Sequence, residues 1–155
     1  MGESVGFVIM DKDAFESTIK MIKDALSLSD EEISIIRRVH DVLLEPTPSL
    51  QLQRNDRLSK IDTLRAELVE LIYRVNVRRN DLEYKYKETY DETYTMLVKA
   101  DRPTQQAIDS EIHARSATMR DARLNLANLD SLRGLLYGYR DSLDSSKKTC
   151  MARAD

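Results

Sequence analysis

The chain of 155 residues has no tryptophan, one cysteine, four glycines and three prolines. Because every strand end needs a turn, so few glycines and prolines disfavour a fold built from sheets. The scarcity of glycine also excludes the Walker, dinucleotide-binding and nucleophile-elbow motifs, which depend on closely spaced glycines. What is present is 33% charged residues, with recurring Leu, Ala, Glu, Lys and Arg, a composition typical of long helices. We therefore predict an all-α fold.

Long apolar runs and a basic leader are also missing. No run approaches the roughly 20 residues that a helix needs to cross a bilayer. The opening segment MGESVGFVIMDKD lacks the basic region of a signal peptide. The single cysteine, Cys150, lies in the polar tail KKTCMARAD and can form no intramolecular disulfide, so a reducing compartment is the simplest expectation. We expect a soluble, cytoplasmic protein with no membrane partner.

The sequence contains no recognisable catalytic or metal-binding constellation. His40 and His113 have no second His, Cys or carboxylate at a zinc-signature spacing, and we expect both at the surface. Cys150 has no nearby base to activate it. The sequence thus predicts no catalytic residues, no metal and no cofactor, and we expect that the protein is not an enzyme.

Two short amphipathic helices are predicted at the start of the chain. Asp13 is a candidate cap for the first helix. Ser29 and Glu32 form a predicted capping box for the second, and Pro46-Thr47-Pro48 ends it. The apolar faces of the two helices consist of Phe15, Ile19, Ile22, Leu26, Ile33, Ile36, Val39 and Leu43. We assign residues 1–48 to an N-terminal helical pair with a Pro-containing linker.

Residues 49–155 are predicted to form a long helical hairpin. From about Asn55 to Ala100 nothing interrupts an approximate heptad repeat, and a helix of that length, roughly 65–70 Å, needs an equally long partner. Asp101-Arg102-Pro103 is a predicted turn, after which apolar residues continue the repeat. The sequence therefore predicts an antiparallel coiled coil of two helices, each longer than roughly forty residues, with Arg74 to Arg79 opposite Leu124 to Leu129.

The most cationic window of the long helix runs from Tyr73 to Lys87. The candidate nucleic-acid-binding residues within it are Arg74, Arg78, Arg79, Tyr84, Lys85 and Lys87. Cations that follow the phosphates, together with aromatic rings that stack on bases, are typical of proteins that bind single-stranded nucleic acid. The alternative is that these cations only solubilise a helix face, that Arg79 occupies the seam, and that Tyr86, Tyr90 and Tyr94 are core residues.

A thin hairpin cannot enclose all of its apolar stripes, so we expect a homo-oligomer. The surfaces that need covering are Phe15, Ile19, Val39 and Leu43. Gly134 and Gly138 lie inside the last predicted helix, where each costs about 1 kcal/mol relative to Ala. Either subunit or first-helix packing requires close backbone approach at these glycines, or a long helix simply tolerates them.

Two stretches resemble the phage recombination mediator family typified by UvsY. Residues 77–86, VRRNDLEYKY, are similar to the basic, leucine- and tyrosine-containing DNA-binding motif on the first long helix of that family. Residues 129–139, LDSLRGLLYGY, followed by Lys147 and Lys148, resemble the glycine-containing C-terminal helix of the family. The resemblance covers well over half of the chain, but not its first two helices.

This resemblance implies a protein that binds single-stranded DNA and helps a RecA-type recombinase to displace single-strand binding protein, in the host-cell cytoplasm if it is phage-encoded. It implies DNA contacts at Arg78 and Arg79, with Lys85 and Lys87 supporting them. It also implies a ring-like oligomer assembled through the C-terminal helix.

Other functions remain compatible with the same sequence. Where the family motif is mostly cationic, this chain has Asp81 and Glu83, which weakens the case for a polyanion-binding face. The second hypothesis is a non-enzymatic coiled-coil scaffold, chaperone or adaptor, which needs the hairpin but not the basic window. A membrane-surface or RNA-binding helix ranks lower, because its polar face would be more uniformly basic.

Overall fold

The computed structural model describes residues 8–101, 104–115 and 117–152, without the side chains of residues 97–101, 108, 112–115, 117 and 118. These ranges contain α1 (Lys12–Leu26), α2 (Asp30–Leu44), α3 (Gln51–Asp101), α4 (Gln105–Arg115) and α5 (Ala117–Ala152). No strand is present in the described ranges, which confirms the all-α prediction. None of the described helices has a segment long and apolar enough to cross a membrane.

Side-chain caps fix where the first two helices begin. The Asp11 carboxylate accepts a hydrogen bond from the Ala14 amide at 2.8 Å, so α1 starts earlier than predicted and Asp13 lies in its first turn. The predicted cap at Asp13 is therefore wrong. The predicted capping box of α2 is confirmed: the Glu32 amide donates to Ser29 Oγ, and the Ser29 amide donates to the Glu32 carboxylate. Such paired caps satisfy amides that the helix leaves unbonded.

The first long helix of the predicted pair forms as α3. α3 has 51 residues and runs unbroken through residues 76–80, where Asn76 and Val77 are weaker helix formers. The segment after the turn is described as α4 with 11 residues and α5 with 36 residues. Residue 116, between them, lies outside the described residues, so a single second helix of more than forty residues stays a prediction. Most of the predicted turn, Arg102 and Pro103, lies outside the described residues. Thr104 caps α4 by accepting from the Ala107 amide at 3.2 Å.

One hydrophobic core joins α1, α2, α3 and α5. Among its most completely buried side chains are Phe15, Ile19, Ile36, Val39, Ile61, Leu68, Leu132, Leu136 and Leu143. α1 packs against α5, and α2 packs against both α3 and α5. The expectation that a second subunit must cover Phe15, Ile19 and Val39 is therefore wrong, since the chain's own long helices bury them. Leu43 is partly buried against the same core.

Three aromatic rings, one from each helix, pack α1 and α2 against α5. The His40 ring stacks on Phe15 with centroids 3.8 Å apart, and Tyr139 meets both rings edge-on. His40 is fully buried, and its Nε2 lies 2.8 Å from the Met10 carbonyl oxygen, to which it donates. The predicted surface position of His40 is therefore wrong, because the ring completes a buried aromatic stack; its Nδ1 is also buried and has no hydrogen-bond partner among the described residues. The side chain of His113 lies outside the described residues.

Ion pairs connect α3 and α5 in opposite chain order. Lys147 pairs with Asp62 at 2.8 Å, Asp144 with Arg65 at 2.6 Å, and Asp130 with Arg79 at 2.5 Å. These pairs are symmetric about the position between residues 104 and 105. Residues 74–79 therefore face a later part of α5 than the predicted Leu124 to Leu129 stretch, because the centre of symmetry of these ion pairs lies later in the chain than Arg102. The antiparallel coiled-coil hairpin as a whole stays a prediction.

The end of α5 is an ordered part of the bundle. α5 extends to Ala152, and the Cys150 thiol is fully buried, so the sequence-based placement of Cys150 in a polar tail is wrong. Nearby, the buried Arg57 guanidinium donates to the Val42 carbonyl oxygen at 3.0 Å and to Ser146 Oγ at 3.3 Å. Arg57 thus satisfies a carbonyl at the end of α2 and ties α2, α3 and α5 together.

A second, smaller apolar cluster lies farther along α3. Met119 of α5 is buried against Tyr86 and Tyr90 of α3. Burial and the hydrogen bond that Tyr90 donates to Asp109 raise the pKa of Tyr90 to about 12. Tyr86 and Tyr90 are therefore partly buried packing residues, whereas Tyr94 is 41% exposed and is not a core residue.

Candidate nucleic-acid interface

The basic window occupies the middle of α3, where α5 packs on one side and the end of α1 on another. Its six candidate residues differ in what surrounds them. A guanidinium or ammonium that already has a carboxylate partner must lose or share that partner before it can neutralise a phosphate. The partners of each cation therefore decide how much of the window a polyanion can use.

Arg79 is the most strongly engaged cation. Its Nε donates to Asp130 at 2.5 Å and its Nη1 donates to Glu83 at 2.6 Å. Only 20% of its side chain is exposed. Hydrogen bonds from Arg79 hold the pKa of the Asp130 and Glu83 carboxyls below their usual values, and Asp130 and then Glu83 raise the pKa of Arg79. Arg79 thus links α3 to α5, close to the seam position that the sequence allowed for it.

Arg74 and Lys87 have carboxylate partners one helical turn away. Arg74 Nη2 lies 2.7 Å from Glu70, and Lys87 Nζ lies 3.6 Å from Glu83. All of these side chains are at least one-third exposed. Exposed pairs at this spacing are weak, typically 0.3–0.5 kcal/mol, so a phosphate can compete with them at low salt.

Arg78 is tied to the N-terminal part of the chain. Its Nη2 donates to the Leu26 carbonyl oxygen, at the end of α1. A guanidinium has five donors, so this bond occupies only part of its capacity. Arg78 remains solvent-exposed. The sequence predicted Arg78 as a DNA contact but gave no sign that it also anchors α1.

Lys85 and Tyr84 are the candidates that the fold leaves available. Neither has a side-chain hydrogen bond or ion pair to any described residue, and Tyr84 is 70% exposed. Tyr73, which immediately precedes Arg74 on α3, is 69% exposed. Large exposed aromatic rings beside cations are the components of a stacking platform for single strands. These neighbouring side chains are the part of the window with the clearest binding potential.

The described residues do not offer a competing chemical site. No group of three or more His, Cys, Asp or Glu side chains in the described part of the chain is arranged to hold a metal ion. A groove of about 570 Å³ between α2 and α3 carries both signs of charge, from Arg38 and Lys60 on one hand and Asp41, Glu45 and Asp56 on the other. Its mixed lining indicates no single ligand class.

Sequence reasoning missed one feature of this surface. Val69 and Val77 are 41% and 42% exposed, although valine in a heptad pattern is usually buried. The signal was available in their spacing of four from Tyr73, which places the three side chains on one side of the helix.

Comparison with known proteins found no matching family model, no matching curated protein and no matching solved structure. The resemblance to the phage mediators therefore stays a prediction.

Proposed function

We propose that this protein is a non-enzymatic, single-stranded-DNA-binding recombination mediator that assists the loading of a RecA-type recombinase. The observation that carries the proposal is the exposure of Tyr73 and Tyr84 beside Arg74 and Lys85 on the solvent side of α3. An antiparallel coiled-coil hairpin of α3 with the return helices would present this face on a stiff support. The resemblance of residues 77–86 to the mediator motif points to the same surface.

The proposed binding is independent of base sequence. Every base has a π-face that can stack on tyrosine, and stacking contributes about 1–3 kcal/mol per base. The cations attract the phosphates between stacked bases. A mediator needs this combination, because the strand on which a recombinase is loaded has no fixed sequence.

Binding by one copy is expected to be weak. Among the five cations, Lys85 alone lacks a partner in the described structure, and the others already contact carboxylates or a carbonyl. We propose that a homo-oligomer compensates, since linked copies bind one strand with a raised effective concentration. Single-strand binding protein and the recombinase are the further partners that this function requires.

The test is fluorescence anisotropy of labelled oligo-dT with the full chain across a salt series. The proposal expects binding at low salt that falls linearly on a log-log plot, because phosphate neutralisation releases counterions. Tyr84→Ala should weaken binding, whereas Tyr84→Phe, which keeps the ring, should bind as the wild type does. If the Tyr84→Ala and Tyr84→Phe proteins bind equally well, stacking at Tyr84 plays no part.

The second candidate is a helical scaffold or adaptor with no nucleic-acid partner. The ion pairs of Arg79 with Asp130 and Glu83 favour it, because they use the most central cation of the window for packing between α3 and α5. Absence of oligo-dT binding at low salt by a protein of normal helicity would leave this candidate in first place.

A further inference from the structure

The exposed side of α3 carries an apolar stripe with no partner in the described chain. Val69, Tyr73, Val77 and Tyr84 recur at spacings of four, four and seven, so they lie on one side of the helix. All are more than 40% exposed, and exposed Asn80 fills the remaining position of the stripe. A repeat of this kind is the usual seam between two helices.

Charged residues flank one edge of this stripe in a self-complementary order. Glu70, Arg74, Asp81 and Lys85 follow one another along that edge, and all four are exposed. A two-fold axis between residues 77 and 78 would place Glu70 level with Lys85 of a second copy. The same axis would place Arg74 level with Asp81. In an antiparallel pair related by this axis, the charged edges of both copies lie on the same side of the seam. Both opposite-charge pairs therefore face each other.

We propose that a second copy of this chain docks antiparallel on this stripe of α3, around a two-fold axis between residues 77 and 78. The apolar side chains interdigitate under that axis: Tyr73 lies between the levels of Tyr84 and Asn80 of the other copy. In a parallel pair in register, this charged edge of one copy lies on the opposite side of the seam from the same edge of the other copy, so neither opposite-charge pair forms. The charge order therefore selects the antiparallel arrangement.

This dimer and single-stranded DNA compete for the same side chains, so the dimer is a different assembly from the homo-oligomer that is proposed to strengthen DNA binding. The seam covers Tyr84, Arg74 and Lys85, which are half of the candidate DNA contacts. The dimer itself rests on the α3 surface alone, and only the competition rests on the proposed function. Adding oligo-dT should therefore dissociate the dimer if both are right, and should leave it intact if the chain does not bind DNA.

Site-directed crosslinking of the full chain tests the seam. Val77→Cys places a thiol beside the axis in each copy, and a short bis-maleimide should join the two copies rapidly. The native Cys150 is buried, so background reaction is small. Leu52→Cys is the matched control, because Leu52 is also exposed on α3 but would be separated from its counterpart by roughly 75 Å in the antiparallel pair. Equal crosslinking at both positions would indicate a parallel pair and overturn the proposal, as would none at Val77→Cys.

A charge-reversal cycle in the Val77→Cys protein tests the pairing. Lys85→Glu sets like charges together at two symmetric places and should slow crosslinking roughly ten-fold. Glu70→Lys alone should do the same, and the two changes together should restore the rate. Lys20→Glu makes the same charge change on α1 and should have no effect. Failure of the double change to recover the rate above that of either single change would refute the charge register.

Discussion

Replacing Lys85 with alanine and replacing Arg79 with alanine should change different properties of the protein, although both residues lie in the basic window. Lys85 has no partner among the described residues, so Lys85→Ala removes a proposed phosphate contact and no interaction of the described fold. The slope of log affinity against log salt should fall by about 0.7, the value for one contact on a single strand. Between 50 and 200 mM salt this corresponds to roughly 2.5-fold less loss of affinity.

Arg79→Ala instead removes a packing interaction. Arg79 bridges Asp130 at 2.5 Å and Glu83 at 2.6 Å, so its charge is already balanced and the salt slope should hardly change. The pair with Asp130, which is 44% exposed, contributes about 0.2–1 kcal/mol. For a chain of this size that loss lowers the melting temperature by roughly 1–4 °C.

The assay combines oligo-dT anisotropy over a salt series with thermal melting followed by circular dichroism. Each variant should move one readout and leave the other unchanged. An Arg79→Ala protein that melts normally and loses as much salt slope as Lys85→Ala would refute this reasoning, because Arg79 would then be a phosphate contact despite its carboxylates. Arg78→Ala should fall between the two, since its guanidinium also holds the Leu26 carbonyl oxygen.

Three further changes probe the fold. Phe15→Ala should destabilise the chain by about 3–5 kcal/mol in urea unfolding, because it empties a buried site stacked on His40. Arg79 lowers the pKa of Asp130 in the folded state. The carboxylate therefore adds stability above its unfolded pKa, and this contribution is lost as the pH falls through the lower folded pKa. Asp130→Asn should make the urea midpoint less sensitive to acid between roughly pH 5 and 3. Gly134→Leu should leave the monomer folded, since no atom lies within 4 Å of a Cβ added there, yet reduce the mass in light scattering if copies approach closely at that position.

The helices were predictable because their signals are local. Ser29 and Glu32 have the spacing of a capping box, and the heptads of α3 extend over its whole length, so each element follows from neighbours in sequence. The cap of α1 was misassigned to Asp13, because Asp11 and Asp13 are both good capping residues and only the position of the first turn separates them.

The packing of the first two helices was not predictable from the same signals. Amphipathic stripes show that Phe15 and Val39 need an apolar partner, but not whether the same chain or another copy supplies it. His40 was misplaced for a related reason: its burial depends on Phe15, Tyr139 and the Met10 carbonyl oxygen, all of which are distant from it in sequence. The pairing of Arg79 with Asp130 likewise depends on the exact register of α3 against α5.

The acidic residues inside the basic window have different consequences in three dimensions. From the sequence, Asp81 and Glu83 simply dilute a cationic motif. In the fold, Glu83 lies on the α5 side and holds Arg79 and Lys87, so it lowers the charge available to phosphates. Asp81 is exposed on the other side of the stripe, level with Arg74 of an antiparallel copy. If Asp81 serves that seam, Asp81→Asn should weaken dimerisation while strengthening oligo-dT binding, because one change removes an attraction between copies and a repulsion of phosphates. An Asp81→Asn protein in which dimerisation and oligo-dT binding both become stronger, or both become weaker, would contradict this prediction.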